Sequence, residues 1–385
     1  MNKPDYAGNS ILNLMSSIKN MLNANPEYPE LKILENESFD DFENVVLIIL
    51  DGFGHDYMMS KPNKSILHAY LKGKITSVYP TTTASAVTTF LTSLPPLRHG
   101  VTGWYLYLKE IGCLVASLLW KIRGSDNKII NKELSPSKVY TEKNIFKAIN
   151  RESFLIYPDQ IINSDFSTSM TEGSVKVPYH TIEDFFKAIK STVGIKSLRK
   201  KFIFAYYTEF DSILHEYGSK SKTDEEHYQF FIKHLEKNII PNENSDTVYI
   251  ITADHGLIES TEDNVIKLSD HPELQKMLLM PLSCEPRNVF CYIKNGFNSV
   301  FEEYIKKHFS NSIELHKSIE LLENGYFGNG VKHPNIKDRI GDYTLIMKDN
   351  FIMKDRIPGE SESFKIGNHG GLSHNEMFVP LIIIK

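Results

Sequence analysis

The sequence predicts an α/β protein built on a mostly parallel central sheet, and three observations predict it. Four apolar runs, Val45–Leu50, Lys201–Tyr207, Thr247–Thr252 and Val379–Ile384, are continuous rather than alternating. Such runs suit strands buried on both faces of a parallel sheet. Between them lie stretches with apolar residues at helical spacing. The first three runs end at or shortly before Asp51, Asp211 with His215, and Asp254-His255, and His369 stands shortly before the fourth. The carboxyl ends of the strands are where α/β sheets build their sites.

The 385 residues suffice for one large α/β domain with an insertion, or for two domains. Residues 8–23 read as an amphipathic helix that docks on the core, because Ile11, Leu12, Leu14, Met15, Ile18, Met21 and Leu22 recur at helical spacing. Asn13, Ser16, Ser17 and Lys19 interrupt that stretch, so it is not a signal peptide. A polar, acidic connection over Asn25–Asn44 leads into the first strand, which ends in Asp51-Gly52-Phe53-Gly54. Tyr79-Pro80-Thr81-Thr82-Thr83 then reads as a hydroxyl-rich turn that caps a helix over Ala84–Leu94, followed by a second turn at His99-Gly100. Gly103–Leu108 is aromatic and apolar, and residues 123–165 carry no clear period.

Tyr179–Lys190 reads as a helix with an acidic start, and Lys201–Tyr207 as the second buried strand. Thr223–Asn238 is helical, with Tyr228, Phe231, Ile232 and Leu235 on one face, and Thr247–Thr252 is the third strand. Beyond Glu259 the strand-then-helix rhythm is lost until about Phe364, although Arg287–Ile293 has strand character. Residues 1–258 and 366–385 are therefore expected to form the core, and 259–365 an insertion that shapes the substrate side.

Composition narrows the function classes. The net charge of −5 comes without a long run of one sign, so no nucleic acid polymer is expected as a partner. Lys196, Arg199, Lys200 and Lys201 read as a solvated loop before a strand. The three cysteines, Cys113, Cys284 and Cys291, are odd in number and form no CxxC pair. They imply neither a disulfide framework nor a thiolate zinc site, and fit a reducing compartment. No segment is long and apolar enough to span a bilayer. The expectation is a cytoplasmic protein without a membrane partner.

The chemistry lies at the strand ends. Each residue alone is commonplace: Asp-Gly is a turn, a Thr before a helix is a cap, and a lone His is more often structural than a ligand. Together they are three carboxylates and three imidazoles that a parallel sheet brings to one edge. Like charges gathered there need a cation, because an unpaired buried carboxylate is costly. Asp and His ligands without thiolate suit zinc, with manganese or iron as alternatives. Asp211 and His215, four residues apart on a helix, face the same side. A Thr hydroxyl in that setting becomes a candidate nucleophile rather than a cap.

At these residues the sequence resembles the type I phosphodiesterase/nucleotide pyrophosphatase family of the alkaline phosphatase superfamily. The matching pieces are VVLIILDGFG, SVYPTTTASAVTTFLTSLPPLRHGVTGW, YYTEFDSILHEYG, ITADHG and GNHGGLSHNEMFVPLII. The resemblance implies two divalent metal ions, zinc in this reading. Asp211, His215 and His369 would hold one; Asp51, Asp254 and His255 would hold the other, with Thr83 Oγ bound to it. It selects Thr83 over Thr81 and Thr82 as the nucleophile, since the family's nucleophile is the third residue after the Pro.

One position departs from the pattern. The family has an Asn shortly after the His-Gly turn that helps hold the phosphoryl oxygen, and Trp104 stands there. The backbone N–H of Ala84 remains as a donor, Trp104 is a candidate stacking or leaving-group surface, and Arg98 and Arg287 are candidate replacement charges. The sulfatase branch, which needs Cys-x-Pro-x-Arg, does not fit Thr83-Ala84-Ser85-Ala86-Val87. The implied activity is two-metal hydrolysis of phosphodiester or pyrophosphate bonds in a nucleotide-like small molecule, through a covalent phosphothreonine. The alternatives are a phosphomonoesterase on the same site and a metal-binding regulatory protein without turnover.

Overall fold

The computed structural model describes residues 2–39, 41–62, 65–125, 128–141, 143–149, 151–240, 246–360 and 364–385. A seven-stranded sheet runs in the spatial order Leu71–Thr76, Phe378–Ile384, Thr247–Thr252, Asn44–Leu50, Lys201–Tyr207, Glu152–Pro158, Val175–Tyr179. The five strands from Thr247–Thr252 to Val175–Tyr179 pair in parallel. Asn44–Leu50, Lys201–Tyr207 and Thr247–Thr252 are buried along their whole length, as their unbroken apolar character requires.

The registers set the level of the site. Leu50 lies opposite Tyr207, and Ile49 opposite Thr252. Asp51 and Asp254 therefore leave the sheet at the same height. Phe378–Ile384 runs antiparallel to both of its neighbours, with Ile382 opposite Ile251 and Ile384 opposite Tyr249. Its start thus lies beside the ends of the parallel strands. That is why His369 precedes its strand while the other candidate ligands follow theirs.

The N-terminal helix spans Ile11–Met21, shorter than the expected 8–23 because Ser10 and Asn13 form a capping box that fixes its start. It packs on the Thr83–Thr92 helix. The latter begins at Thr83 and ends at a left-handed Ser93, one to two residues from the expected bounds at each end. Ile182–Val193 and Lys222–Asn238 fill the places of the two later helices and pack on each other. The strands Glu152–Pro158 and Val175–Tyr179 were not legible. The helices ahead of them, Pro136–Val139 and Ile145–Ala148, are single turns, too short to show a period.

A second sheet, antiparallel throughout, has the order Ile313–Lys317, Tyr343–Met347, Asn288–Cys291, Ser283–Glu285, Tyr105–Leu108, Cys113–Ala116, Lys121–Ile122. Its strands come from both sides of the third buried strand in the chain. Cys284 pairs with Tyr105, so the segments around Trp104 and Glu285 meet. Tyr79, Leu97, Cys284, Phe290, Phe327, Leu372 and Met377 form an apolar cluster that joins this sheet to the site side of the core.

Candidate active site

Asp51 follows its strand directly and is buried. Gly52 comes next at φ +71, and a Cβ there would meet Asp211 Cα at 3.0 Å. A left-handed glycine is what lets the Asp211 helix approach. Asp254 Oδ1 accepts the N–H groups of Gly52 at 3.0 Å and His255 at 2.9 Å. Its Oδ2 lies 3.6 Å from His255 Nε2, as does Asp51 Oδ1. The Tyr206 hydroxyl donates to Asp51 Oδ2.

His255 Nδ1 lies 3.1 Å from the Gly256 carbonyl oxygen. A proton on Nδ1 satisfies that contact and leaves the Nε2 lone pair facing Asp51, Asp254 and Thr83 Oγ1, the last at 3.0 Å. The three threonines differ in what their hydroxyls do. Thr81 donates to the Gly371 carbonyl at 2.6 Å and Thr82 to Glu285, whereas Thr83 faces His255. Thr83 opens its helix, and Ala84 follows it among the N–H groups that have no intrahelical acceptor.

The second cluster forms around Asp211, in the first turn of the Glu209–Tyr217 helix. His215 Nε2 is 3.2 Å from Asp211 Oδ2, and His369 Nε2 is 4.0 Å from Asp211 Oδ1. His215 Nδ1 donates to the Gly367 carbonyl at 2.6 Å, which turns Nε2 towards the carboxylate. The His255 and His369 rings stack at 3.9 Å, so the two clusters adjoin. Asp51, Asp254 and His255 each offer a ligand atom within 4.8 Å of the others, and so do Asp211, His255 and His369. His215 reaches its cluster through Asp211. The structure thus brings together all six candidate ligands and Thr83.

The charge balance differs between the clusters. Burial pushes the Asp51 carboxyl well above its usual range, and the Asp254 and Asp211 carboxylates push it further. Burial would also raise Asp211, but the facing His215 and His369 imidazoles outweigh it and hold Asp211 well below the carboxylate range. Asp51 Oδ1, Asp254 Oδ2, Asp211 Oδ1 and His369 Nδ1 are buried without a hydrogen-bond partner. Buried polar atoms are normally satisfied. Unpartnered oxygens aimed at imidazole nitrogens are what a divalent cation would satisfy, and the donor set of oxygen and nitrogen without sulfur fits zinc.

Trp104 is half-buried, and its backbone N–H donates to Glu285 Oε1 at 3.0 Å. Neither replacement charge suggested by the sequence is free. Arg98 pairs with Glu27, and Arg287 is buried in a pair with Glu376 at 3.0 Å. Arg287 has a structural role instead: Glu376 accepts the Gly371 N–H at 2.7 Å and so fixes the turn after His369. Sequence reasoning missed Glu285. It lies in a three-residue strand after Cys284, whose φ is +76, inside a segment without rhythm. A lone Glu there carries no signal.

Comparison with known proteins places the chain in a family and a fold. The family model for type I phosphodiesterase / nucleotide pyrophosphatase matches residues 45–372. Among solved structures, murine ectonucleotide pyrophosphatase/phosphodiesterase 5 is 17% identical, with 88% of this chain and 87% of that chain covered and a TM-score of 0.63. An inactive variant of the same murine protein in complex with AMP is 18% identical over 88% and 87% of the two chains, with a TM-score of 0.60. Phosphonoacetate hydrolase from Sinorhizobium meliloti, in complex with phosphonoacetate, is 16% identical over 88% and 89%, with a TM-score of 0.64. The fold is thus that of the alkaline phosphatase superfamily. Among the described residues, no helix is long and apolar enough to cross a membrane.

Proposed function

Because the chain belongs to the type I phosphodiesterase/nucleotide pyrophosphatase family, we propose that it is a metal-dependent hydrolase of phosphodiester or pyrophosphate bonds in a nucleotide-like small molecule. One observation carries the reading. Six Asp and His side chains gather at one sheet edge with unpartnered buried oxygens, and the Thr83 hydroxyl lies 3.0 Å from His255 Nε2 beside them. AMP in the complex of the similar murine protein favours a nucleotide-like ligand.

In this reading Asp51, Asp254, His255 and Thr83 Oγ would hold one divalent cation, and Asp211, His215 and His369 would hold the other; zinc is the metal expected. Such cations lower the pKa of a hydroxyl and neutralise the attacking and leaving oxygens of an in-line displacement. Thr83 Oγ attacks phosphorus. A bond from Thr83 Oγ to phosphorus forms and the bond from phosphorus to the leaving oxygen breaks; Thr83 gives up its proton, and the leaving oxygen departs as phosphate or takes up a proton to depart as an alcohol. The Ala84 N–H donates to a non-bridging oxygen, and the helix N-terminus favours the negative charge there. Water then cleaves the phosphothreonine and restores the hydroxyl. Trp104 offers a half-buried aromatic surface for the base or leaving group. Residues 259–365 shape the substrate side. A cytoplasmic setting belongs to the same reading, and Cys113, Cys284 and Cys291 are free thiols.

The test is hydrolysis of bis-p-nitrophenyl phosphate and p-nitrophenyl phosphate by metal-loaded protein, with Thr83→Ala as the control. Faster diester cleavage, abolished by the substitution and by chelation, is the expected result. Faster monoester cleavage would make the protein a phosphomonoesterase. Two bound metals without turnover of either substrate would favour a regulatory metal-binding protein.

A further inference from the structure

The second sheet brings to the site a carboxyl group that neither ligand cluster uses. Glu285 ends the Ser283–Glu285 strand, and its Oε1 accepts the Thr82 hydroxyl and, at 3.0 Å, the Trp104 N–H. Thr82 adjoins the nucleophile. Trp104 holds the place where the resemblance puts an Asn that steadies a phosphoryl oxygen. Gly370 adjoins His369, and a Cβ on it would lie 2.6 Å from Glu285 Cβ. Three neighbours of the reaction centre therefore pack around this one side chain. Among the described residues no Lys or Arg forms an ion pair with it, and Arg98 and Arg287, the candidate replacement charges, are bound to other carboxylates. A negative group thus stands beside the position where the resemblance puts a neutral donor.

We infer that Glu285 is a specificity-determining residue whose carboxylate sets the charge of the phosphoryl group the site accepts. A phosphorus with two ester or anhydride links carries one negative charge and is tolerated beside it. A terminal phosphoryl group carries two in alkaline solution and is repelled. The substrate class is therefore a diester or a disubstituted pyrophosphate, not a terminal monoester. This rests on the reading above that the site binds phosphoryl groups. Burial holds the Glu285 carboxyl up at about 7, with His255 and Lys365 among the charges acting against that rise, which agrees with its place beside the cluster.

The experiment is calorimetric titration of metal-loaded protein in alkaline buffer with two anions, inorganic phosphate and diethyl phosphate. Wild type is compared with Glu285→Gln, Glu285→Ala and the charge-conserving Glu285→Asp. The neutral variants should bind inorganic phosphate at least about tenfold more tightly, and diethyl phosphate within about threefold of wild type, since only the doubly charged anion gains fully from loss of the carboxylate. Glu285→Asp should keep the wild-type ratio. A shift of equal size for both anions would reduce Glu285 to a structural brace of the Thr82 turn and overturn the inference, as would no shift for inorganic phosphate. If neither anion bound any of the metal-loaded proteins, the phosphoryl-site reading itself would fall.

Discussion

The two ligand clusters share an edge of the sheet but meet their charges in opposite ways. Around Asp51 and Asp254, two buried carboxylates face one imidazole, and Asp51 is held well above its normal range by burial and by its carboxylate neighbours. Around Asp211, one carboxylate faces two imidazoles and is held well below that range. The first cluster is unbalanced without a cation; the second is nearly balanced by itself. The Thr83 hydroxyl, the proposed nucleophile, stands beside the unbalanced one, 3.0 Å from His255 Nε2.

The largest expected effect removes the Thr83 hydroxyl, the proposed nucleophile, and leaves both clusters of Asp and His side chains in place. Thr83→Ala should lower kcat/KM for the diester by about 10³-fold or more while metal content stays unchanged. A loss under tenfold would mean that water, not Thr83, attacks phosphorus.

The comparison itself predicts opposite signs for two matched substitutions in metal-free protein. Asp51→Asn should stabilise it by about 1–3 kcal/mol at neutral pH, because it removes a like-charge contact, and Asp211→Asn should destabilise it by a similar amount, because it strips a buried imidazole of its partner. Asp51 is raised on folding, so its ionisation penalty is absent below the ordinary carboxylate range and grows as pH rises. Asp211 is depressed, so its contribution is present above that range and is lost as pH falls towards its own lower value. The gain in Asp51→Asn should therefore fade in acid, and thermal melts across pH would read both trends. The same sign for both variants would break the comparison.

A smaller effect extends it to the second sheet. Glu285, raised on folding to about 7, should behave like Asp51. Glu285→Gln keeps an acceptor for Thr82 and Trp104, and should stabilise the fold by about 1–2 kcal/mol in alkaline buffer, discounted for partial exposure. The gain should shrink as pH falls through 7 and vanish below the ordinary carboxylate range.

The site was legible where chemistry coincides with a strand end. Asp51, Asp254 and His255 follow unbroken apolar runs of the length and β-branched character of buried strands, and Asp211 and His215 share a helix face. The direction of the last strand was not legible, because an apolar run reads the same either way, and pairing alone shows that Phe378–Ile384 is antiparallel. The second sheet was hidden for another reason. Its strands are short, and they join Tyr105–Ile122 to segments far along the chain, which no local pattern records. Glu285 came with that sheet. The suggested roles of Arg98 and Arg287 failed because a sequence does not show which carboxylate a guanidinium will meet.

The most direct measurement is the divalent metal content of protein loaded with excess zinc and then desalted. Two equivalents per chain are expected for the wild type, falling to one in Asp51→Asn and to one in Asp211→Asn, each variant losing the metal of its own cluster. One equivalent or none in the wild type, or identical loss of both metals in either variant, would contradict two separate metal sites at this sheet edge.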